Sequence, residues 1–600
     1  MLLLPRLRKI SEMKRIVFLS VFTISIAGVS AYPQARIDSR VSAAMFQQPL
    51  GTQILCLVTF TDKGPNGLLK SFGPSQLVTP RALARRAHVL PPGNLVDDSD
   101  LPVDDSYVNE VAATGAIMRH RLKWFNGVSV LATAAQIEQI GALPHVAAIE
   151  FVGRFKKDVT VERFAPAARI RPMQKPGSAT AIDYGESEVA LDQIDVPAVH
   201  ETGNFAQGVV IGVFDNGFRR LSHTVFDSLR PRILATHDFV DHKTSVVPND
   251  PDPGFGAHGV YTLSTIGGYK PGSLVGPAFG ASFILARTEN DSSETPVEGD
   301  NWAAAIQWAE SLGVQVTSTS LGYLEFDAPY TSLTWQDMDG KTALITRAAE
   351  MAVRKGVVVV NSAGNNRFNA DHNTLNAPAD GDSVIAAGSV NSSGNRSGFS
   401  SVGPTTSDPP TIKPDVMAPG ESVWIASAED DTSYGRNQGT SFSCPFTAGV
   451  AALILHAHPD ATPAEVMLRL KATASNFYAP NNLMGWGIID AAAAIAYSNQ
   501  PIPAYLELLP SYPNPFNSIT TLEYQLPEPS RVTVRVYDVL GRLVRSFAPF
   551  DQSQSFGKVT WDGTDGRGAS VASGVYYFRV DAVGVSGQAR RRVEGVVLVK

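Results

Sequence analysis

Cysteine is nearly missing. Only Cys56 and Cys444 occur among 600 residues, which excludes a disulfide framework and leaves stability to packing. Neither sign of charge dominates: 50 basic and 57 acidic side chains leave a net charge of -7, giving no electrostatic reason to expect nucleic acid as a partner. Repeat arrays and low-complexity tracts are also lacking. Beyond the N-terminus no stretch reads as long enough for a transmembrane helix, so no membrane-spanning segment is expected. The run Ile16–Ile26, behind Lys14 and Arg15, is short for a bilayer and leads to the small residues Val29-Ser30-Ala31. That pattern predicts a secretory signal over residues 1–31, with Met13 as its natural start, and hence a secreted or cell-surface protein.

What is there looks globular, with 44% hydrophobic and 18% charged residues. The length exceeds what one core can organise, so several domains are expected. Residues 32–180 form the first region. In it Ile54–Phe60 (ILCLVTF), Asn126–Leu131 and Val146–Val152 read as strands, and Thr133–Gly141 as a helix capped by Thr133. These elements predict a small α+β unit over about 55–155, followed from Phe155 to Ala181 by an Arg-, Lys- and Pro-rich exposed linker open to proteolysis. Residues 181–500 alternate buried strands (Val209–Phe214, Ser282–Ala286, Val314–Thr317, Val357–Val360) with helices (Trp302–Leu312, Thr342–Lys355). The prediction is an α/β fold, a parallel sheet with helices on both faces, with active groups at the carboxyl ends of strands. Residues 501–600 carry short strands at Thr521–Tyr524, Arg531–Tyr537, Lys558–Trp561 and Val575–Val580, which predict a β-sandwich.

Four segments could carry chemistry. Gly439-Thr440-Ser441-Phe442-Ser443-Cys444-Pro445 opens an apolar helix to about Ala457; Ser441 alone reads as a helix cap, but a helix N-terminus also offers a backbone N–H and a favourable dipole. The motif is G-x-S-x-S, not the G-x-S-x-G of α/β-hydrolases, which disfavours a lipase or esterase. Asp215-Asn216-Gly217 ends a buried strand, where a carboxylate can orient an imidazole, although a lone Asp there is more often an Asx turn. His258-Gly259 opens a helical stretch behind the Asp250–Gly254 loop. Asn365 follows the strand Val357–Val360 through Asn361-Ser362-Ala363-Gly364, placing an amide donor where an oxyanion could form.

Together, the order Asp, His, Asn, Ser resembles the subtilisin family over residues 185–498. Ser320-Leu321-Gly322, Ile412–Gly420 (IKPDVMAPG) and Gly485–Asp490 (GWGIID) strengthen the likeness. The resemblance implies a serine endopeptidase with Asp215, His258 and Ser441 as catalytic groups and Asn365 in the oxyanion hole. It also implies that substrate pairs with Ser320, Leu321 and Gly322 and with Ser362, Ala363 and Gly364. No cofactor is implied; structural calcium is known in the family but has no assignable site, and Asp250 and Asp252 read as a solvated acidic loop. Two departures stand out. Asn216 replaces the usual Ser or Thr, and Val260 replaces the Thr two residues after the histidine, so a local hydrogen bond is expected to be lost. Cys444 reads as buried packing. Residues 55–152 resemble the family's inhibitory propeptide, which implies the chain's own pro-segment as a partner beside protein or peptide substrates. Residues 505–600 resemble the sorting domain of exported Bacteroidetes-type proteins, on Tyr512–Asn517, Val536-Tyr537-Asp538, Gly541, Trp561-Asp562-Gly563 and Gly574–Tyr577. That likeness implies contact with export machinery. The rival reading is a catalytically silent subtilisin-like protein kept for binding or adhesion.

Overall fold

The computed structural model describes residues 35–49, 51–65, 67, 72–152, 165–166, 182–249, 255–289, 297–322, 324, 333–497, 505–527, 530–552, 556–584 and 587–600. The expected signal sequence and the Asp250 and Asp252 loop lie outside these residues. Of the expected linker only Ala165–Pro166 is described. It is not an isolated coil but a short strand paired with Gly435 and Arg436.

The N-terminal unit is a five-stranded sheet of β1 (Arg36–Ile37), β2 (Ile54–Phe60), β3 (Ile117–Leu122), β4 (Gly127–Ala132) and β5 (Val146–Phe151), in the order β1-β5-β2-β4-β3. Side chains alternate across a strand, and β2 shows why its sequence is apolar throughout. Ile54, Cys56 and Val58 face a core shared with the helices Asp105–Ala113 and Ala134–Gly141, whereas Leu55 and Leu57 face the central unit. The second helix starts where expected: Thr133 accepts from Gln136 N, and the Gln136 side chain accepts from Thr133 N at 2.8 Å, a reciprocal capping box. Between β2 and β3 lies an unexpected excursion, with α1 (Pro80–Arg86) and a short turn at Asp98–Asp100.

The central unit is a seven-stranded, all-parallel sheet: β6 (Val210–Asp215), β7 (Ile233–Asp238), β8 (Ser282–Arg287), β9 (Val316–Thr319), β10 (Val358–Ser362), β11 (Ile385–Val390) and β12 (Val416–Pro419), in the order β12-β11-β10-β9-β6-β8-β7. Helices α2 (His258–Gly267) and α5 (Thr440–Ala457) cover one face, and α3 (Val297–Leu312) and α4 (Leu344–Arg354) the other. Strand β6 divides accordingly, with Ile211 and Val213 in the first core and Val210 and Phe214 in the second. One strand is displaced from expectation. Val314 still bonds through its N–H to Ala309 O at the end of α3, so β9 begins two residues later, at Val316. Helix α5 is 18 residues long and apolar enough in composition to cross a bilayer, but 89% of it is buried inside the protein, as a core helix.

The C-terminal unit is a β-sandwich, as predicted. One sheet holds Glu507–Leu508, Thr520–Gln525 and Phe556–Trp561; the other is built on Ser530–Asp538, Gly574–Gly584 and Ala589–Leu598. Leu522, Tyr524 and Trp561 from the first meet Val534, Phe578 and Val580 from the second in one core.

Candidate active site

The carboxyl edge of the parallel sheet gathers the groups singled out in the sequence. Asp215 ends β6, an interior strand between β9 and β8, and is fully buried. His258 is the first residue of α2, and its Nδ1 lies 2.7 Å from Asp215 Oδ1, an oxygen that also accepts from Asn216 N at 2.8 Å. The other oxygen, Oδ2, accepts from Thr262 Oγ1 at 2.8 Å. Both oxygens of the carboxylate are therefore held, which leaves its plane and the imbedded imidazole little freedom.

The two departures resolve at this point. Asn216 Oδ1 accepts from Gly259 N at 3.1 Å, so this side chain caps the helix that begins with His258. Val260 is fully buried in the core. The expected loss of a hydroxyl does not leave the carboxylate short of a donor, because Thr262 supplies one. It sits four residues, one helical turn, beyond His258 and so shares its face. That spacing was the signal in the sequence; the position two after the histidine was the wrong one to inspect. Gly259 is required by contact: a Cβ there would lie 2.1 Å from Gly217 O.

Ser441 is the second residue of α5, entered through Gly439 at φ +150°. Its hydroxyl donates to Ser320 O at 3.3 Å, and its carbonyl accepts from Ser320 Oγ at 2.7 Å. The next ring, Phe442, has its centroid 6.4 Å from that of His258, which sets the starts of α5 and α2 side by side. Asn365 Oδ1 accepts from Thr440 N at 2.9 Å and from Thr440 Oγ1 at 3.0 Å. With its oxygen so engaged, the amide presents its NH2 as the remaining donor.

Ser320–Gly322 and Ser362–Gly364 continue β9 and β10, neighbours in register with Thr319 opposite Asn361. Leu321 O accepts from Asn361 Nδ2 at 3.0 Å. Asn376, which drew no attention in the sequence, fills the space against both segments: a Cβ on Gly322 would come within 2.7 Å of its side chain, and one on Gly364 within 3.1 Å. Nothing local in the sequence marks this residue. Cys444 is buried with Sγ 3.3 Å from Thr319 O, and burial pushes its thiol up to about 12, so it is inert packing as expected. Among the described residues no group of three or more His, Cys, Asp or Glu is placed to hold a metal ion.

Comparison with known proteins bears on the same residues. A profile described as the subtilase family, peptidase S8, matches residues 206–487. Subtilisin NAT of Bacillus subtilis subsp. natto is 33% identical over 321 residues, which cover 53% of this chain and 72% of that protein. The chain belongs to the subtilase family. It is a subtilisin-like serine peptidase. Subtilisin of Bacillus pumilus is 32% identical over 327 residues, 53% of this chain and 99% of that protein. A profile described as the peptidase S8 propeptide domain, Bacteroidota, matches residues 55–165, so the N-terminal unit is a subtilase propeptide. A profile of the FlgD Ig-like domain matches residues 517–585, within the sandwich. Among solved structures, fervidolysin from Fervidobacterium pennivorans, titled a keratinolytic enzyme related to subtilisin, aligns with a TM-score of 0.53 at 19% identity over 94% of this chain and 78% of that chain. That likeness speaks to the fold alone.

Proposed function

We propose that this subtilase cleaves peptide bonds through an acyl-enzyme, with Ser441 as nucleophile, His258 as general base and acid, and Asp215 holding the imidazole. Substrate backbone lies as an added strand between Ser320–Gly322 and Ser362–Gly364. His258 Nε2 takes the Ser441 hydroxyl proton as Oγ attacks the scissile carbonyl carbon. The resulting oxyanion is held by the Asn365 amide and the Ser441 N–H, in the first turn of α5 where backbone donors lack intrahelical partners. Collapse breaks the C–N bond, and His258 returns the proton to the departing amine. Water, deprotonated by His258, then attacks the ester, and Ser441 leaves with the proton. No step requires a cofactor. The observation that carries this reading is the buried Asp215–His258 contact of 2.7 Å beside the helix that begins at Thr440-Ser441.

The same reading makes residues 1–31 an export signal, residues 32–180 a pro-segment removed on activation, residues 181–500 the peptidase and residues 501–600 a sorting module for a secreted or surface-held enzyme. A fluorophosphonate probe tests the core of it. Mass mapping should find the probe on Ser441 and find none bound after Ser441→Ala. A correctly folded, mature protein that stays unlabelled would make it a silent binding protein instead.

A further inference from the structure

Among the described residues the pro-segment meets the peptidase at several places, the strand pairing of Ala165–Pro166 included, and two of them involve α3 and α4. One is the outer face of its sheet, where Leu55, Leu57, Leu122 and Trp124 join the core formed by α3 and α4. The other is the excursion between β2 and β3, which carries α1 to the C-terminal ends of those same helices. These ends lead into the amino ends of β9 and β10, the edge of the sheet opposite Asp215.

A helix C-terminus has carbonyls without partners and the negative end of the dipole, so it favours a cation. Arg85 serves two such ends at once. Its Nη1 donates to Glu310 O at 3.3 Å and to Val314 O at the end of α3, its Nε donates to Lys355 O at 3.1 Å at the end of α4, and its Nη2 pairs with the Glu310 carboxylate. Arg86 is fully buried and forks twice. Nε and Nη2 reach the two oxygens of Glu310 at 2.8 and 2.7 Å, and Nη1 and Nη2 reach those of Asp100 at 2.8 Å each. Lys355 Nζ closes the cluster 3.3 Å from Asp100. The approach is close: a Cβ on Gly313, at φ +92°, would lie 2.7 Å from the Arg81 side chain. Glu310, on the peptidase side, is fully buried beneath both guanidinium groups. Taking them away would strand an unpaired buried carboxylate, a far larger loss than that of a surface ion pair.

We propose that residues 74–101 are a second anchor of the pro-segment, a guanidinium clamp on Glu310 and the ends of α3 and α4, which keeps the pro-segment bound after the chain between them is cut. The inference rests on the reading that the pro-segment is severed, so the test reads association rather than self-cleavage.

Full-length protein carrying Ser441→Ala and a site for a specific protease within residues 171–180 is cut with that protease, and the dissociation constant of the two pieces is measured. Arg85→Ala with Arg86→Ala should weaken association at least a hundredfold. Glu310→Gln, which leaves the pro-segment sequence untouched, should weaken it at least tenfold, so the clamp stays testable even if the double variant disturbs pro-segment folding. Unchanged affinity in the Glu310→Gln protein would overturn the proposal. Loss of self-cleavage in the parent enzyme would bear only on the catalytic reading.

Discussion

In the proposed mechanism two single side chains, Thr262 and Asn365, set the chemistry. Thr262 is fully buried, and its hydroxyl fixes the Asp215 oxygen that His258 does not use. Hydrogen bonds to charged groups contribute about 1.5–3 kcal/mol, so Thr262→Val should lower kcat roughly ten- to a hundredfold with KM nearly unchanged. Thr262→Ser should restore most of the rate. Steady-state kinetics on one peptide decides this, and a Ser variant as poor as Val would mean that the methyl, not the hydroxyl, matters. On the proposed role of its amide as a donor to the oxyanion and not to the ground-state carbonyl, Asn365→Ala should reduce kcat by about a hundredfold or more. An effect confined to KM would refute that role. The residues with a fixed motif around them, Asp215, His258, Asn365 and Ser441, stood out in the sequence, and the fold brings them to one edge of the sheet. Thr262 carried only its spacing of one helical turn from His258 as a signal, and Asn376 carried none, because its importance comes from what the fold sets beside it.

Elements were legible where their own residues favour the state they adopt. Val358–Val360 and Val210–Phe214 are β-branched and aromatic runs, and both are strands. Strands β11 (IAAGSV) and β12 (VMAP) are rich in Ala, Gly and Pro and passed unnoticed; parallel pairing with their neighbours makes them strands. Helix α1 was hidden for a different reason. Two of its three arginines, Arg85 and Arg86, are buried rather than exposed, and their partner Glu310 lies more than 220 residues away in sequence. The interface between pro-segment and peptidase also carries a pH dependence. His120 on β3 is buried, with Nε2 2.7 Å from Asn301 Oδ1 on α3. Burial holds its pKa below the ordinary value, overcoming the opposite pull of Asp300 and Asn301, while Arg119 and His242 act with burial. A depressed histidine favours the docked state at pH above its ordinary value of about 6.5, and that contribution falls away as pH drops toward the lowered value. Pro-segment affinity should thus weaken on acidification from pH 7 to 5, and less so in His120→Gln. Equal pH slopes in the two proteins would exclude His120 as the source.

At the scale of the molecule, among the described residues the sandwich core shares none with the cores of the peptidase, and its two sheets close on each other. A chain ending at Asn499 should therefore fold and cleave peptides, while secretion assays show loss of export or surface placement. A folded but inactive truncation would make the sandwich part of the enzyme. The three-unit plan was readable because each unit has its own pattern: mixed helices and strands in the pro-segment, buried runs alternating with helices in the peptidase, short strands and turns in the sandwich. The docking of the first unit on the second was not readable, since it depends on opposite faces of β2 serving two cores. Catalysis and maturation meet in one substitution. Ser441→Ala removes a single hydroxyl, whose bond to Ser320 O spans 3.3 Å, costing about 1 kcal/mol, too little to unfold the domain. The most direct measurement is the intact mass of wild type and Ser441→Ala, each expressed alone in a protease-deficient host. Wild type should give a peptidase chain shortened at its N-terminus, and the variant the uncut precursor; identical processing of both would contradict Ser441 as the nucleophile of a self-maturing subtilase.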